Sequence, residues 1–311
     1  MEVTYTDEEI RHLAISFLNA ETERDRQQVI GASTLSNPCD YCLASGFLGI
    51  ERDVPGANQA WGGRIIGTAI HSHIEQNARA QRPQATLEAK VTIGEIPGYG
   101  VIPGHFDYAE LDENHLVDWK NTTLEKTIYM RDYLGQTSYG RDNKWVAVYS
   151  RNEKGLYRKV KAIVSENVYN EKLHEAAFKV EGYRAQLHLY AKAMRAAGRP
   201  IYRMSNVFVA RDSTMWFDNP AAEGYDDPTK MHGVWVLSFD FDPRYAEEVW
   251  ERGLRIWRRL EGGEERDAFE RHPYCHPCII DRRNGEPAET MPPMRTIGAV
   301  VTEATFAGEA A

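Results

Sequence analysis

The sequence predicts an α/β fold in which helices flank a central mixed β-sheet. Four amphipathic segments are typical of helices: 7–28, 64–80, 170–197 and 243–261. Five segments rich in β-branched and aromatic residues are typical of strands: 86–96, 99–111, 115–121, 204–211 and 233–239. Two further segments, 144–150 and 157–165, have weaker strand character. Because groups of strands alternate with helices along the chain, we expect the helices to pack on one sheet.

The composition indicates a globular chain with a buried core. Of its 311 residues, 42% are hydrophobic and 27% charged. No window of about 18 apolar residues predicts a membrane span. The start, MEVTYTDEEI, lacks the basic and apolar regions of a signal peptide, so we expect a cytoplasmic protein. A formal charge of −9 argues against a global positive field for nucleic acid, although the acid-free stretch 182–211 would allow a local basic groove.

The four cysteines form two C-x-x-C pairs that are far apart in the chain: Cys39 with Cys42 and Cys275 with Cys278. In a reducing compartment such pairs more often bind a metal or a cluster than form disulfides. Tetrahedral Zn²⁺ and an iron–sulfur cluster both accept four thiolates. Either centre would join two distant parts of the chain, so its removal should cost stability.

The segment LVDWKNTT places Asp118 and Lys120 on one face of a strand, with Trp119 turned away. The preceding strand carries Asp107. A two-residue loop between the strands would place Asp107 opposite Asp118, whereas a four-residue loop would place it opposite Lys120. Facing carboxylates repel each other unless a divalent cation lies between them, and hard oxygen ligands suit Mg²⁺ or Mn²⁺. The alternative is an ordinary Asp–Lys pair on a solvated strand.

Two helical segments add polar residues to this pattern. In GTAIHSHIE, His71 and Glu75 share a helical face at i and i+4, and a neutral imidazole can bind a metal. In QLHLY, Gln186 and Tyr190 share a face at the same spacing and could contact a phosphodiester or support the metal site. For a single histidine, a packed or hydrogen-bonded side chain in a helix interface is more common than a metal ligand, and the second pattern is equally compatible with an ordinary core helix.

The order of these motifs resembles that of the PD-(D/E)XK nuclease superfamily. It is more closely similar to the RecB-type nuclease domain and the CRISPR-associated iron–sulfur exonucleases related to it. The matching elements are GTAIHSHIE at 67–75, GHFD at 104–107, VDWKNT at 117–122 and QLHLY at 186–190. The resemblance implies a restriction-endonuclease-like fold, a mixed sheet flanked by helices.

The resemblance also implies a role for each matching residue. The implied metal ligands are His71, Asp107, Asp118 and the main-chain carbonyl of Trp119. The implied catalytic residues are Lys120, Asp107, Asp118 and Glu75, of which Lys120 would be the catalytic lysine and Glu75 would assist the metal or its water. DNA contacts are expected from Gln186 and Tyr190 of the fourth motif, and from Arg184 and Lys192 of the basic stretch.

Two metal centres follow from this resemblance. Mg²⁺ or Mn²⁺ would bind at the active site. Iron–sulfur nucleases of this kind carry one cysteine before the core and three after it, whereas this chain has two and two. The resemblance favours a [4Fe–4S] cluster held by Cys39, Cys42, Cys275 and Cys278, and Zn²⁺ is the alternative.

The predicted organisation is a single nuclease domain over 1–284 and a flexible tail over 285–311. Within the domain we expect two cysteine-bearing flanks, 1–63 and 262–284. Between them we expect a catalytic core, 64–260, which contains an insertion at 122–180.

The leading interpretation is a metal-dependent DNA exonuclease that hydrolyses phosphodiester bonds of single-stranded ends in recombination or DNA processing. The alternatives are a non-catalytic DNA-binding or recombination-partner module with a structural metal cluster, and a structure-specific endonuclease of the same superfamily. By analogy, a chain of this size without a helicase motor would be a stand-alone nuclease of the kind that phages encode. A protein partner from recombination or CRISPR systems is compatible with it.

Overall fold

The computed structural model describes most of the chain: residues 30–50, 61–112, 114–136, 145–151, 157–163, 166–211, 233–275 and 277–279. Only the backbone is described for 61–64, 145–151 and 157–163. The helix predicted over 7–28 and the tail predicted over 285–311 lie outside the described residues.

Five strands form one mixed sheet, which confirms the predicted fold class. The described strands are β1 Thr86–Ile96, β2 Gly100–Glu110, β3 His115–Thr122, β4 Trp145–Arg151, β5 Tyr157–Ile163, β6 Arg203–Ala210 and β7 Val234–Asp240. The sheet has the order β1-β2-β3-β6-β7, in which β3 and β6 are parallel and all other neighbours are antiparallel. The remaining strands, β4 and β5, pair as a separate antiparallel ribbon, as their strand character predicted.

Helices pack against this sheet. The described α-helices are α1 Ala32–Leu35, α2 Asp40–Phe47, α3 Trp61–Gln81, α4 Leu124–Tyr133, α5 Glu166–Ala196 and α6 Pro243–Glu261. The bounds of α6 are those predicted, and the Asp242 carboxylate caps the start of the helix by accepting hydrogen bonds from the main-chain N–H groups of Arg244 and Tyr245. Among the described residues, no helix has both the length and the apolar character needed to cross a bilayer.

The connection between β3 and α5 contains more regular structure than the sequence indicated. The segment predicted as an insertion holds α4, the β4–β5 ribbon and the first half of α5. Helix α4 was not predicted, because aromatic and basic residues are mixed along it and no apolar stripe stands out. Its Tyr129 and Met130 are nevertheless buried, in a cluster with Tyr169 of α5 and Phe208 of β6.

The turn between β2 and β3 combines features of the two predicted registers. Four residues, 111–114, separate the strands, as in the second alternative. Glu110 nevertheless pairs with His115, which is the register of the first alternative. This register fixes which side chains of the two strands face each other.

The main core lies between the sheet and helices α5 and α6. Phe106, Leu116, Leu187 and Leu189 are fully buried in it. Each such side chain contributes about 1.5–3 kcal/mol relative to exposure. The same cluster includes the four cysteines, so the sheet and the cysteine-bearing segments share one core. Helix α5 is thereby held firmly against the strands that carry the candidate site.

Candidate active site

Two carboxylates stand opposite each other on β1 and β2. Leu87 pairs with Tyr108 in the β1–β2 ladder, so the next residue along β1, Glu88, stands opposite Asp107. Both side chains are mostly shielded, with 12% of Glu88 and 11% of Asp107 exposed. Glu88 did not appear among the predicted site residues.

A third carboxylate continues this row onto β3. The last pair of the β2–β3 ladder is Tyr108 with Val117, and the same register places Asp107 opposite Asp118. Beyond this pair, the Asp107 side chain takes the place of a main-chain acceptor, because the N–H of Trp119 donates to Asp107 Oδ2 at 2.7 Å. Three acidic residues therefore cross the sheet side by side, at the point where β2 and β3 stop pairing through their backbones.

His71 approaches this row from α3. Its Nδ1 lies 3.5 Å from Asp107 Oδ1. Potential ligand atoms of His71, Glu88 and Asp107 all lie within 4.8 Å of one another, close enough to bind one metal ion. The hydrogen bond to Asp107 raises the pKa of His71 against the opposing effect of burial, and the charges of Asp118 and Glu88 raise it further.

Asp118 and Lys120 form an ion pair at the base of the site. Lys120 Nζ lies 2.5 Å from Asp118 Oδ2, which also accepts a hydrogen bond from Asn206 Nδ2 at 3.1 Å. Only 3% of Asp118 is exposed, and burial raises the pKa of its carboxyl against the effect of Lys120. Burial lowers the pKa of Lys120, but the attraction of Asp118 outweighs this and the pKa is raised overall.

A polar chain connects this ion pair to α5. Lys120 Nζ donates to Gln186 Oε1 at 3.0 Å, and Gln186 Nε2 donates to the Tyr190 hydroxyl at 2.8 Å. Burial raises the pKa of Tyr190, so the phenol is neutral. The i, i+4 spacing of Gln186 and Tyr190 thus brings both side chains to the predicted site.

The glycine of the GHFD segment allows this close packing. A Cβ on Gly104 would lie 2.7 Å from Ile93 Cδ1 and 3.0 Å from the Tyr190 ring. Any larger residue at position 104 would require Ile93 and the Tyr190 ring to shift. The short glycine–aspartate spacing therefore serves two purposes, since Gly104 admits Tyr190 and Asp107 joins the carboxylate row.

The main-chain carbonyl of Trp119 was predicted as a further metal ligand. The N–H of Trp119 points towards β2, since it donates to Asp107. In an extended strand the N–H and C=O of one residue point to the same side. The carbonyl of Trp119 therefore also points towards β2, beyond the last pair of the β2–β3 ladder.

Glu75 does not join this group. Its carboxylate instead pairs with Arg79, one helical turn further along α3, at 2.5 Å. The next histidine on the helix, His73, contacts Asn77 and likewise stands apart from the carboxylate row. A role of Glu75 at the metal or its water stays a prediction.

The two predicted DNA contacts from the basic stretch lie against α6. The Arg184 guanidinium stacks over the Tyr245 ring at 4.0 Å, and Lys192 Nζ pairs with Glu247 at 2.7 Å. Their positive charge is thus directed towards aromatic and acidic side chains of α6. The structure does not bring them to the carboxylate row.

Glu88 also has an unusual backbone conformation. Its φ of +48° lies in the left-handed region, which residues other than glycine rarely adopt. Strain of this kind costs about 1–3 kcal/mol and often occurs at functional sites. His105 holds the residue in place, because its Nε2 lies 2.9 Å from the Glu88 carbonyl and its Nδ1 lies 3.4 Å from the carboxylate.

The four cysteines come together at a second location, as predicted. Cys39 and Cys42, at the start of α2, meet Cys275 and Cys278, and all four are buried. Their sulfur atoms all lie within 4.8 Å of one another, so they could hold a metal ion.

Comparison with known proteins finds no matching family model and no matching curated protein. Similar solved structures include a phage-related exonuclease from Haemophilus somnus 129PT, at 10% identity and a TM-score of 0.37, covering 76% of this chain and 96% of that chain. A candidate exonuclease from Eubacterium rectale is 11% identical with a TM-score of 0.39, and the match covers 92% of this chain and 95% of that chain. These similarities are too distant to carry an inference about activity, so activity is inferred from the side chains of the site.

Proposed function

We propose that the chain is a metal-dependent nuclease that hydrolyses phosphodiester bonds of DNA. The observation that carries this proposal is the row of Glu88, Asp107 and Asp118 across three strands, with His71 beside Asp107 and Lys120 beside Asp118. Like charges this close destabilise a sheet unless a cation or a partner compensates them. Lys120 compensates Asp118, which leaves two further carboxylates beside His71.

The donor set fits a hard divalent cation. His71, Glu88 and Asp107 would hold Mg²⁺ or Mn²⁺, with Asp118 and the Trp119 carbonyl completing the site. When bound, the metal would polarise the phosphoryl oxygen and lower the pKa of a coordinated water. Imidazole among the ligands favours Mn²⁺ as an activator at least as good as Mg²⁺.

Lys120 would act as a fixed cation rather than as a base. Its pKa is raised because Asp118 outweighs burial, so the side chain is a protonated ammonium at neutral pH. Asp118 and Gln186 hold its Nζ from two sides. The ammonium can then donate a hydrogen bond to a phosphoryl oxygen as negative charge develops on it, without reorganising during the reaction.

Gln186 and Tyr190 would act as positioning residues. Gln186 links Lys120 to Tyr190, which is buried against Gly104. Helix α5 therefore orients the lysine through the one hydrogen bond that Lys120 donates to Gln186, and the hydrogen bond from Gln186 to Tyr190 fixes that acceptor. DNA as the substrate, and single-stranded ends as the preferred form, follow from the resemblance of the motif order.

The test is cleavage of end-labelled single strands, end-labelled duplexes and closed single-stranded circles with added Mg²⁺ or Mn²⁺. We expect metal-dependent loss of the labelled single strands, whereas the closed circles should remain intact. The variants Lys120→Ala and Asp107→Asn should lose at least about 100-fold in rate, whereas Asp240→Asn, a carboxylate that is 88% exposed, should match the parent.

Each alternative function has its own outcome in this assay. Cleavage of the closed circles would indicate an endonuclease instead of an exonuclease. DNA binding without cleavage in either metal would indicate a non-catalytic module. Full activity of Lys120→Ala would refute the assigned site.

A further inference from the structure

The spacing of the four cysteine sulfurs distinguishes between the two centres that the residue types allow. Cys42 Sγ lies 3.0 Å from Cys275 Sγ and 3.5 Å from Cys278 Sγ. Cys39 Sγ lies 3.5 Å from Cys278 Sγ, and no two of the four sulfurs are more than 4.8 Å apart. The four thiols thus form a compact, closed group.

This spacing matches one tetrahedral ion. With Zn–S bonds of about 2.3 Å, neighbouring sulfurs of a tetrahedral site are separated by about 3.8 Å. The observed separations, from 3.0 Å to at most 4.8 Å, lie on both sides of that value. All four thiols are buried, and closed four-cysteine sites are typical of structural zinc.

A [4Fe–4S] cluster does not fit the same sulfurs. In such a cluster each cysteine binds a different iron at a separate corner, so the sulfurs must stand further apart than around a single ion. Sulfurs 3.0–3.5 Å apart leave no room for four irons and their sulfides between them. The preference for an iron–sulfur cluster that the family resemblance implied is therefore not supported by the thiol geometry.

We propose that Cys39, Cys42, Cys275 and Cys278 hold a single structural Zn²⁺ that fastens two distant segments of the chain to each other. The surroundings suit a group of thiolates. The main-chain N–H of His272 donates to Cys39 Sγ at 3.4 Å.

Backbone contacts around the centre support the same role. The N–H of Tyr41 donates to the carbonyl of Glu270, a direct link between the two cysteine-bearing segments. The inference does not depend on nuclease activity, because no atom of this centre takes part in the proposed reaction.

The test is the metal content of protein purified anaerobically from cells supplied with both iron and zinc. We expect about one zinc per chain, no acid-labile sulfide and a colourless solution. Exchange into Co²⁺ should give the intense visible bands of a tetrahedral tetrathiolate. About four irons with sulfide and a brown colour would overturn the proposal, as would a single iron without sulfide, or four free thiols with no metal.

A pair of variants at one position gives a second readout. Cys42→His should keep zinc, because three cysteines and one histidine are a common zinc set, and Cys42, at 7%, is the most exposed of the four cysteines. Cys42→Ala should lose at least about 10-fold in zinc affinity. Equal metal loss in both variants, with both folded, would contradict a zinc site.

Lys120→Ala separates this inference from the proposed function. It should abolish cleavage while keeping about one zinc per chain. Loss of zinc from this variant would contradict a centre independent of the active site, whereas an inactive parent with full zinc would leave the zinc site standing and refute only the nuclease.

Discussion

Replacement of Lys120 by Met should expose how strongly the site depends on its buried ion pair. The change keeps most of the apolar stem and removes the ammonium that lies 2.5 Å from Asp118 Oδ2. Asp118 then becomes a carboxylate with 3% exposure whose remaining side-chain partner in the described chain is Asn206.

The expected loss follows from burial. Removing one partner of a buried ion pair costs about 3–5 kcal/mol, because the other charge stays desolvated. Since 19% of the Lys120 side chain is exposed and Asn206 still donates to Asp118, the lower value applies. We expect the free energy of unfolding to fall by about 3 kcal/mol at pH 7 without added Mg²⁺ or Mn²⁺.

The loss should depend on pH in a defined direction. Burial already raises the pKa of Asp118 in the parent, and removing Lys120 takes away the main opposing effect. In the variant the folded carboxyl therefore keeps its proton at pH values where the unfolded one, with a pKa of about 3.9, has lost it. The penalty should be absent below about pH 4, grow as the pH rises towards the folded pKa, and be complete above it.

The assay is urea unfolding of four proteins at a series of pH values: parent, Lys120→Met, Asp118→Asn and the double variant. The two changes should be strongly coupled, with the double variant about 2 kcal/mol more stable than the sum of the single losses predicts. A loss below about 0.5 kcal/mol at pH 7, or one that does not change with pH, would refute the buried-pair reasoning.

Three further predictions concern the packing and the metals. Gly104→Ala should lower the free energy of unfolding, measured with a chemical denaturant, by about 1–3 kcal/mol, because the new Cβ meets Ile93 at 2.7 Å and Tyr190 at 3.0 Å. The control Gly67→Ala should be tolerated, because the nearest neighbour of its Cβ lies at 3.6 Å. Glu88→Gly should raise the free energy of unfolding by about 1 kcal/mol without added metal, because glycine adopts the φ of +48° without strain. The same variant should bind Mn²⁺ more weakly, as measured by calorimetry, and an unchanged affinity would remove Glu88 from the metal site. Zinc removal by a strong chelator should lower the Tm by at least about 5 °C and be reversed by zinc; an unchanged Tm would mean that the centre has no structural role.

Local periodicity was enough to predict which side chains meet within β3 and within α5. Alternation along a strand placed Asp118 and Lys120 on one face, and the structure pairs them. The i, i+4 spacing on α5 placed Gln186 and Tyr190 together, and they are hydrogen-bonded. These relations depend only on neighbours in the sequence, which is why they could be inferred without the fold.

Glu88 could not be found in this way, because its position depends on an irregularity in the sheet. The turn end of the β1–β2 hairpin sets a register that would place Glu88 opposite Tyr108. A register shift between Thr92 and Gly94 moves the pairing by one residue and brings Glu88 opposite Asp107 instead. A shift of one residue transfers a side chain to the other face of a sheet, so no alternation pattern predicts it.

The surroundings of the basic stretch could not be predicted for a related reason. Its lack of acidic residues would allow a local basic groove. The acids and aromatics that meet Arg184 and Lys192 come from α6, about 60 residues further along the chain. Composition within one segment says nothing about the segment that packs against it.

The central claim is that one divalent cation binds where β1, β2 and α3 meet. The most direct measurement is anomalous diffraction from crystals of the parent grown with Mn²⁺, compared with crystals of Asp107→Asn. We predict one strong Mn²⁺ peak within bonding distance of His71, Glu88 and Asp107 in the parent, and its loss in the variant. A peak elsewhere, or an unchanged peak in Asp107→Asn, would contradict the account.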